Sequence, residues 1–395
     1  MSRVVASLIA VVLFAGCGSE VAGAPDGESA GSWTQLPDAP LSPRENVVAV
    51  AVDNRVLVVG GSDAAPCPPG ADCATAEEPA LRDGAVFDSD SGQWQSSTDA
   101  PLPIEWAETA VVGSTIYLWV PATGRPESQE AFVTYDIDTD EWTELPLPPN
   151  AGDDACCAIA AAGDQIVAYP GSDEYGETPD HIFDPASEQW TELPADPLSP
   201  TFDRVMVWSG AELIHFALDL LDLRESAEPG LSMVAALNVE TGARRRLPDT
   251  GSLGVGGTLV NGRIVNPTLG GADGGETNNW RREYPYGGIL DPDSGEWIEL
   301  PKAPDGEGDF SAGMFASAQS YYLSDRGWVL DLEAGEWGWI EPRPGTSEDS
   351  DGPVTGGEST AAVGQSLFVF GGVRWEDWDD FDPELLDEGW LWSPG

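Results

Sequence analysis

The sequence predicts an all-β protein built from similar units of about 50 residues, and three observations lead to this fold class. The 395 residues include 46 Gly and 33 Pro, so few stretches run long enough without them to form helices. A motif of the form Trp-x-x-Leu-Pro recurs along the chain. Between its copies, short apolar runs alternate with Gly, Asp and Asn turns, which is typical of antiparallel strands.

The Trp-x-x-Leu-Pro motif sets the length of the unit. Clear copies begin at Trp33, Trp142, Trp190 and Trp297, and weaker copies begin at Trp94, Arg244 and Trp337. Successive copies are 61, 48, 48, 54, 53 and 40 residues apart. In six of the seven copies an apolar or aromatic residue, followed by Asp or Asn, lies seven positions earlier. A repeat at this spacing predicts a β-propeller with one four-stranded blade in each unit.

The first unit illustrates the four predicted strands. Val47–Val52 and Val56–Val59 flank a tight turn, Gly84–Phe87 follows a long loop, and the fourth strand begins at Trp94. Segments that fit the innermost strand begin near Asn46, Ala107, Ala155, Arg204, Gly254, Phe310 and Glu358. The sequence therefore predicts seven blades.

The segments at the two ends of the chain together supply the four strands of one blade. The last unit ends at Trp390–Trp392 and lacks its fourth strand, whereas Trp33–Pro37 precedes every innermost strand. We expect the N-terminal strand to complete the last blade, which would leave no unpaired edge where the ring closes.

The repeats resemble the kelch family, whose propeller also forms the central domain of galactose oxidase. The resemblance rests on Leu57-Val58-Val59-Gly60-Gly61, on Val369-Phe370-Gly371-Gly372, on Gly270-Gly271, and on the Tyr/Phe-Asp to Trp spacing. It covers residues 33–395 and implies a seven-bladed kelch-type β-propeller. Three places depart from the family pattern: Val120-Pro121 and Pro170-Gly171 replace paired glycines, and Arg244 replaces Trp.

The first residues are typical of an exported lipoprotein. Residues 1–16 contain Arg3 and an 11-residue, mostly apolar stretch, Val4–Phe14, which is too short for the ~20 residues of a membrane span. Phe14-Ala15-Gly16-Cys17 resembles the bacterial lipobox, which implies cleavage before Cys17 and a lipid on its thiol. An ordinary cleaved signal is the alternative. Residues 17–32 read as a flexible tether, so we expect secretion across the cytoplasmic membrane and lipid anchoring on its outer side.

The formal charge of −52 limits the possible partners. Phosphate binding requires a basic stripe, so the composition excludes nucleic acid, and it also disfavours electrostatic docking on anionic lipid. The membrane contact is expected through the lipid alone, and the protein is expected to be a monomer.

Few residues suggest catalysis, so we assign no catalytic residue, metal site or cofactor. The two histidines, His181 and His215, lie in predicted strands and lack metal-ligand spacing. The two His, two Tyr and one Cys that a copper radical oxidase needs cannot be assembled. Aspartate runs such as Asp136-Asp138-Asp140 lack the Glu of a calcium-binding EF-hand and are interpreted as hairpin turns.

Four cysteines follow Cys17 in a compartment that favours disulfides. The favoured pair is Cys67 with Cys73 in the first long loop. Cys156 and Cys157 form either a vicinal bond or two buried thiols.

The long loops and the connections between blades share one face of the propeller, where we predict a binding site for a glycan or an extracellular protein. The aromatic and basic candidates are Arg44, Trp106, Arg204, Trp280, Arg282, Arg374, Trp375 and Trp378. Flat aromatics beside Arg suit a sugar or a peptide. Blade packing by the Trp residues and charge balance by the Arg residues are the structural alternative.

A sugar-modifying enzyme of the kelch mutarotase type is the alternative function. It would require an Arg and a carboxylate that converge at the channel, and Glu105, Arg44 and Arg204 are the available candidates.

The lipoprotein assignment makes a simple prediction. Replacing Cys17 by Ser removes the thiol that would carry the lipid, so the protein should be released to the medium or remain uncut. Detergent-phase partitioning of the variant measures this, and partitioning like that of the wild type would contradict the assignment.

Overall fold

The computed structural model describes residues 29–68, 73–152, 158–220, 230–266, 285, 287–301, 315–324, 328–346, 354–375 and 383–395. Every regular element in these ranges is a β-strand. None of the described residues forms a helix of the length and apolarity needed to cross a membrane.

The strands form seven four-stranded antiparallel sheets within the described residues, which we number by their order along the chain. Sheet 1 contains β2 (Val48–Val52), β3 (Arg55–Val59), β4 (Gly84–Asp88) and β5 (Gln93–Ser96). Sheet 2 contains β6 (Glu108–Val112), β7 (Thr115–Val120), β8 (Ala131–Asp136) and β9 (Glu141–Leu145). Sheet 3 contains β10 (Ala158–Ala162), β11 (Gln165–Tyr169), β12 (His181–Asp184) and β13 (Gln189–Glu192). Sheet 4 contains β14 (Thr201–Trp208), β15 (Leu213–Asp219), β16 (Met233–Asn238) and β17 (Ala243–Arg246). Sheet 5 contains β18 (Thr258–Val260), β19 (Arg263–Asn266), β20 (Gly288–Leu290) and β21 (Trp297–Ile298).

Sheets 6 and 7 follow the same plan. They contain β22 (Phe315–Ala318), β23 (Tyr321–Ser324), β24 (Trp328–Asp331) and β25 (Glu336–Trp339); and β27 (Ser359–Val363), β28 (Ser366–Phe370), β31 (Gly389–Pro394) and β1 (Gly31–Gln35). A further small sheet pairs β29 (Val373–Trp375) with β26 (Val354–Gly356) and β30 (Pro383–Leu385). The all-β class is confirmed, and the repeated four-stranded sheets are consistent with a β-propeller.

The N-terminal strand completes sheet 7, as the sequence predicted. β1 pairs antiparallel with β31, with Trp33 opposite Trp392 and Gln35 opposite Trp390. The pairing covers Gly31–Gln35 and Trp390–Pro394, two residues away from the predicted Trp33–Pro37 and Glu388–Trp392.

Paired glycines after the second strand allow the backbone of another connecting segment to approach within hydrogen-bonding distance. Gly60 and Gly61 have φ of 73° and 85°, and the amide of Gly61 donates to the Ile104 carbonyl at 2.9 Å. A Cβ on Gly60 would lie 2.2 Å from that same carbonyl oxygen, so no larger residue fits there. Gly371 and Gly372 repeat the arrangement in sheet 7, against the carbonyl of Arg44.

Asp or Asn caps the turn between the third and fourth strands. In sheet 1 the Asp88 carboxylate accepts from the amide of Ser91 at 2.7 Å, and the amide of Gly92 donates to the Asp88 carbonyl at 2.8 Å. Equivalent side-chain bonds occur at Asp136, Asp184, Asn238, Asp291 and Asp331. These acidic runs are therefore hairpin turns whose carboxylates satisfy their own backbone.

The indole of the repeated tryptophan ties five of the seven described sheets to the one before it. Nε1 of Trp94 donates to the Pro37 carbonyl at 2.9 Å, and Nε1 of Trp142 donates to the Thr98 carbonyl at 2.9 Å. The same bond joins Trp190 to Pro146, Trp337 to Pro301, and Trp33 to Glu341. Each acceptor lies four residues after the tryptophan of the preceding sheet. The motif thus carries both a donor for one neighbour and an acceptor for the other.

Apolar side chains fill the space between consecutive sheets. Separate buried clusters join sheets 1 and 2, 2 and 3, 3 and 4, 4 and 5, 5 and 6, and 6 and 7. Another cluster joins sheet 7 to sheet 1 through Phe87, Phe368 and Phe370, which pack around Trp94. The sheets are therefore packed face to face, as in sandwich-like layers.

Removing β1 should destabilise the protein far more than removing the segment before it. Deleting residues 18–38 leaves one edge of β31 unpaired and removes the Trp33 bond, so aggregation or a large fall in melting temperature is expected. Deleting residues 18–28 should have little effect.

The shorter deletion ends at residue 28 because Ala30 is part of the fold. Its amide donates to the Trp339 carbonyl at 2.8 Å, and its carbonyl accepts from the amide of Gly395. Thermal melts of both deletions test the role of β1, and equal melting temperatures would show that β1 does not stabilise the fold.

Candidate functional site

A cavity of about 250 Å³ lies where the first strands of three sheets begin. We call it the Trp106 cavity. Its polar and aromatic lining consists of Asn46, Trp106, Thr109, Glu358, Ser359 and Thr360. These residues come from the start of β2, β6 and β27, in sheets 1, 2 and 7. Strands alternate in direction within each sheet, so this end is also the one from which the long loops leave.

Trp106 occupies a backbone position that normally suits Asn or Gly. It lies two residues before β6 with φ of 58°, and Asn46 and Gly357 hold the same position before β2 and β27 with φ of 56° and 67°. The left-handed conformation costs a bulky residue about 1–2 kcal/mol. Trp106 does not offset this cost by burial, since 62% of it is exposed. Neither backbone preference nor packing explains a tryptophan here.

The residue before Trp106 is held by a buried ion pair. The Glu105 carboxylate pairs with Arg125 through Nε at 2.9 Å and Nη2 at 3.1 Å. Glu105 is 4% exposed. Arg125 also donates to Ser62 Oγ at 3.1 Å, and Ser62 is bonded to the backbone of Glu45. The chain next to Trp106 is therefore held by contacts that span sheets 1 and 2.

Burial sets the ionisation of the carboxyls around this ring. Desolvation raises the pKa of Glu105, although the charge of Arg125 and the indole N–H act in the opposite direction. Desolvation and the charge of Glu105 raise the pKa of Glu45, against the charge of Arg125. A negative charge at either position is thus stabilised less than it would be in water.

Arg44 is a structural residue that faces away from solvent. Its side chain is 1% exposed, and its two Nη atoms bond to the two oxygens of Asp83 at 2.8 and 2.9 Å. It also donates to the Gly60 carbonyl at 3.3 Å. The hydrogen bonds from Arg44 lower the pKa of Asp83.

Arg204 lies in a second buried cluster, between sheets 3 and 4. It donates to Asp180 at 2.9 Å, to Asp196 at 3.0 Å and to Nε2 of His215 at 3.3 Å. Since that nitrogen accepts, Nδ1 of His215 carries the proton, and it lies 2.9 Å from Asp196. Arg244 joins the cluster through Asp180 at 2.6 Å.

The structure brings one of the predicted binding residues to the cavity and buries three others. Trp106 lines the cavity, whereas Arg44, Arg204 and Trp375 are 1%, 4% and 7% exposed. Arg44 and Arg204, two candidates for the binding site, are instead held inside the fold, Arg44 by Asp83 and Arg204 by the buried Asp180 and Asp196. Arg374 bonds to Glu384 at 2.9 Å within the small sheet.

Several predictions fall outside the described residues: those for Cys17, Cys156, Cys157, Trp280, Arg282 and Trp378. Cys67 and Cys73 form the disulfide that the sequence favoured. His181 and His215 both lie in strands and are buried.

The three candidates for a mutarotase-like site do not share partners. Arg44 binds Asp83, Glu105 binds Arg125, and Arg204 binds Asp180 and Asp196. Each of these three charges is already neutralised by a neighbour, so the three candidates do not provide an Arg and a carboxylate that face one another across a cavity. In the described part of the chain, no three His, Cys, Asp or Glu residues are grouped so that they could hold a metal ion.

Sequence reasoning missed the ion pair of Glu105 with Arg125, next to Trp106 in the chain. Arg125 lies in a loop and had no distinguishing pattern. A usable signal did exist in the repeats: Glu45-Asn46 and Glu105-Trp106 occupy the same register, so Trp stands where another unit has Asn.

Comparison with known proteins adds no relative. No protein-family model matches the chain, and no curated protein has significant sequence similarity to it.

The Arg204 cluster predicts an acid-dependent stability. Burial alone would raise the pKa of Asp196, but the adjacent His215 side chain, an amide bond from Leu198 and the charge of Arg204 bring it below its ordinary value. Ionised Asp196 therefore stabilises the fold above about pH 4, and this contribution is lost as the pH falls. Asp196→Asn should lower the free energy of unfolding by about 3–5 kcal/mol at pH 7.

Urea denaturation at pH 7 and at about pH 3 tests this prediction. The difference in free energy of unfolding between the wild type and Asp196→Asn should be smaller at the lower pH, because there the wild type loses the contribution of an ionised Asp196, which the variant lacks at any pH. Asp164→Asn, in an exposed hairpin turn, is the control and should be nearly silent. A difference in free energy of unfolding that is equal at both pH values would exclude ionisation of Asp196 as its cause.

Proposed function

We propose that the protein is a closed seven-bladed kelch-type propeller, held by a lipid on Cys17 at the outer side of the cytoplasmic membrane. In this proposal it acts as a binding module for a glycan or an extracellular protein, and the Trp106 cavity is the binding site. The carrying observation is that Trp106 lines the cavity, is exposed and adopts an unfavourable backbone conformation, while a buried ion pair holds the residue before it, Glu105.

Three sets of contacts support a closed ring of seven blades. A buried cluster joins sheet 7 to sheet 1, as other clusters join the remaining consecutive sheets. The indole bonds run in one direction, and they include Trp33 to Glu341 and Trp94 to Pro37 across the junction of the chain ends. β1 supplies the fourth strand of sheet 7, which the last unit lacks. The paired glycines and the capped turns support the kelch assignment.

The geometry of Trp106 supports binding. Preorganised aromatic side chains provide a large contact area at a low cost in conformational entropy. The side chain of Trp106 lines the cavity, and 62% of it is exposed. The amide of Asn46 and the hydroxyls of Thr109, Ser359 and Thr360 can orient a polar ligand that stacks on the ring.

A substitution that copies another repeat separates binding from stability. Trp106→Asn places at this position the residue that sheet 1 carries as Asn46, in the same backbone conformation. The variant should keep or raise its melting temperature, because Asn adopts the left-handed conformation more readily. The affinity of the variant for ligands that the wild type binds should fall by about tenfold or more.

A glycan array and crosslinking to envelope proteins, run beside thermal melts, provide the measurements. Tyr175→Ala is the matched control, since Tyr175 is 78% exposed and lies outside the cavity. It should leave both properties unchanged. Retention of the same ligands by Trp106→Asn and the wild type would rule out the Trp106 cavity as the site.

A further inference from the structure

We propose that the Trp106 cavity binds one uncharged sugar ring of a glycan, with the apolar face of the ring on the indole and its hydroxyl groups on Asn46, Thr109 and Thr360. This inference rests on the proposed binding function and specifies the class of ligand, which is a neutral glycan rather than a protein or a charged sugar.

The polar side chains of the cavity wall can bond to a ligand rich in hydroxyl groups. Asn46, Thr109 and Thr360 all line the cavity. Among the residues that the structure describes, their side chains form no hydrogen bond with the protein. An amide and a hydroxyl each donate and accept hydrogen bonds, and a sugar hydroxyl does the same. Either partner can therefore supply the proton in each bond.

Two of these hydroxyl groups have fixed positions. Thr109 lies in β6 and Thr360 lies in β27, and branching at Cβ restricts the rotation of both side chains. Ser359 Oγ donates to the Val47 carbonyl at 2.5 Å, which joins the wall from β27 to the residue before β2. Groups that are already in place lose little conformational entropy when a ligand binds.

The charge of the cavity lining is balanced. In the described part of the chain, no Lys or Arg lines the cavity, so a ligand carboxylate or phosphate would meet no cation there. Glu358 is the one charged residue of the lining, and the buried Arg343 already pairs with its carboxylate. A charged ligand of either sign would lose hydration without gaining an ion pair of its own. An uncharged ligand avoids this cost.

The size of the cavity fits a single ring of a longer chain. Its volume of about 250 Å³ is below the roughly 300–1,000 Å³ of clefts that enclose a drug-sized ligand. The C–H groups on one face of a pyranose ring form a flat apolar surface, which can pack on the exposed indole of Trp106. The other rings of the glycan would remain outside the cavity.

The surroundings of Trp106 differ from the core of a protein interface, where several large apolar side chains are desolvated together. The described residues have three other exposed large apolar side chains, Leu147, Tyr175 and Ile298, and none of them lines the cavity. The remaining apolar residues of the lining are small aliphatic ones, namely Val47, Val48, Ala49 and Ala107. An isolated aromatic ring among polar groups favours a sugar over a protein.

A set of oligosaccharide probes tests the selectivity. The neutral probes are oligomers of glucose, galactose and mannose, and the charged probes are the corresponding oligomers of uronic acids and of glucosamine. A glycan array gives the first screen. Titration calorimetry at physiological ionic strength then measures affinities, because distant charges are largely screened under this condition.

At least one neutral oligomer should bind the wild type about tenfold more tightly than its charged counterparts. Trp106→Asn should weaken this binding about tenfold or more. Thr109→Val and Thr360→Val keep the side-chain shape and remove one hydroxyl each, so each should weaken binding about threefold to tenfold without lowering the melting temperature. Thr143→Val, on the exposed part of the outer strand β9, is the control and should bind like the wild type.

Three results would overturn the inference. The first is preferential binding of a charged oligomer that depends on Trp106, and the second is crosslinking of an envelope protein through Trp106 while no neutral oligomer binds. Both would leave the proposed binding site in place and change its ligand. The third is binding of a neutral oligomer that neither Trp106→Asn nor the two Thr variants weaken, which would refute the proposed site as well.

Discussion

The hydrogen bond from an indole N–H to a backbone carbonyl of the preceding sheet underlies the repeated architecture. The bond requires a tryptophan in one sheet and a free backbone carbonyl in the preceding sheet, four residues after that sheet's own tryptophan. A proline at the acceptor position supplies this carbonyl and has no N–H that would need a partner. Trp142 and Trp190 illustrate the pattern, and their acceptors are Thr98 and Pro146. A buried N–H left without such an acceptor would cost about 1–3 kcal/mol. The bond therefore fixes the spacing between neighbouring sheets as well as their order.

The pattern is interrupted at sheets 4 and 5, and a different interaction takes its place. Arg244 holds the tryptophan position of sheet 4, and its guanidinium bonds to Asp180 in sheet 3. In sheet 5, the Nε1 of Trp297 has no hydrogen-bond partner among the described residues. A buried cluster of two arginines, two aspartates and a histidine is costly to desolvate, and it is stabilised only because each charge is paired.

The repeat pattern made the fold far more predictable than the site. The described innermost strands begin at Val48, Glu108, Ala158, Thr201, Thr258, Phe315 and Ser359, each within five residues of its predicted start. Periodic spacing sufficed for this, and the spare tryptophan segment sufficed for the pairing of β1 with β31. The charged residues were different, because their roles depend on which side chain lies opposite. Arg44 and Arg204 are distant in sequence from Asp83 and Asp180, and nothing local revealed those pairs. Trp106 was proposed from its residue type and lines the described cavity, but its unusual backbone conformation is visible only in the structure.

The pairing of Gly31 with Pro394 joins the first described strand to the last one. It follows that the order of synthesis and the order of assembly conflict in sheet 7. β1 emerges at the beginning of translation and must stay without its partner until the rest of the chain has been made. Contacts so distant in sequence form slowly, and an unpaired strand edge is exposed to aggregation in the meantime. A chain of this design depends on protection of its first strand until the last one arrives, so truncation near the C-terminus would damage the N-terminal segment as well.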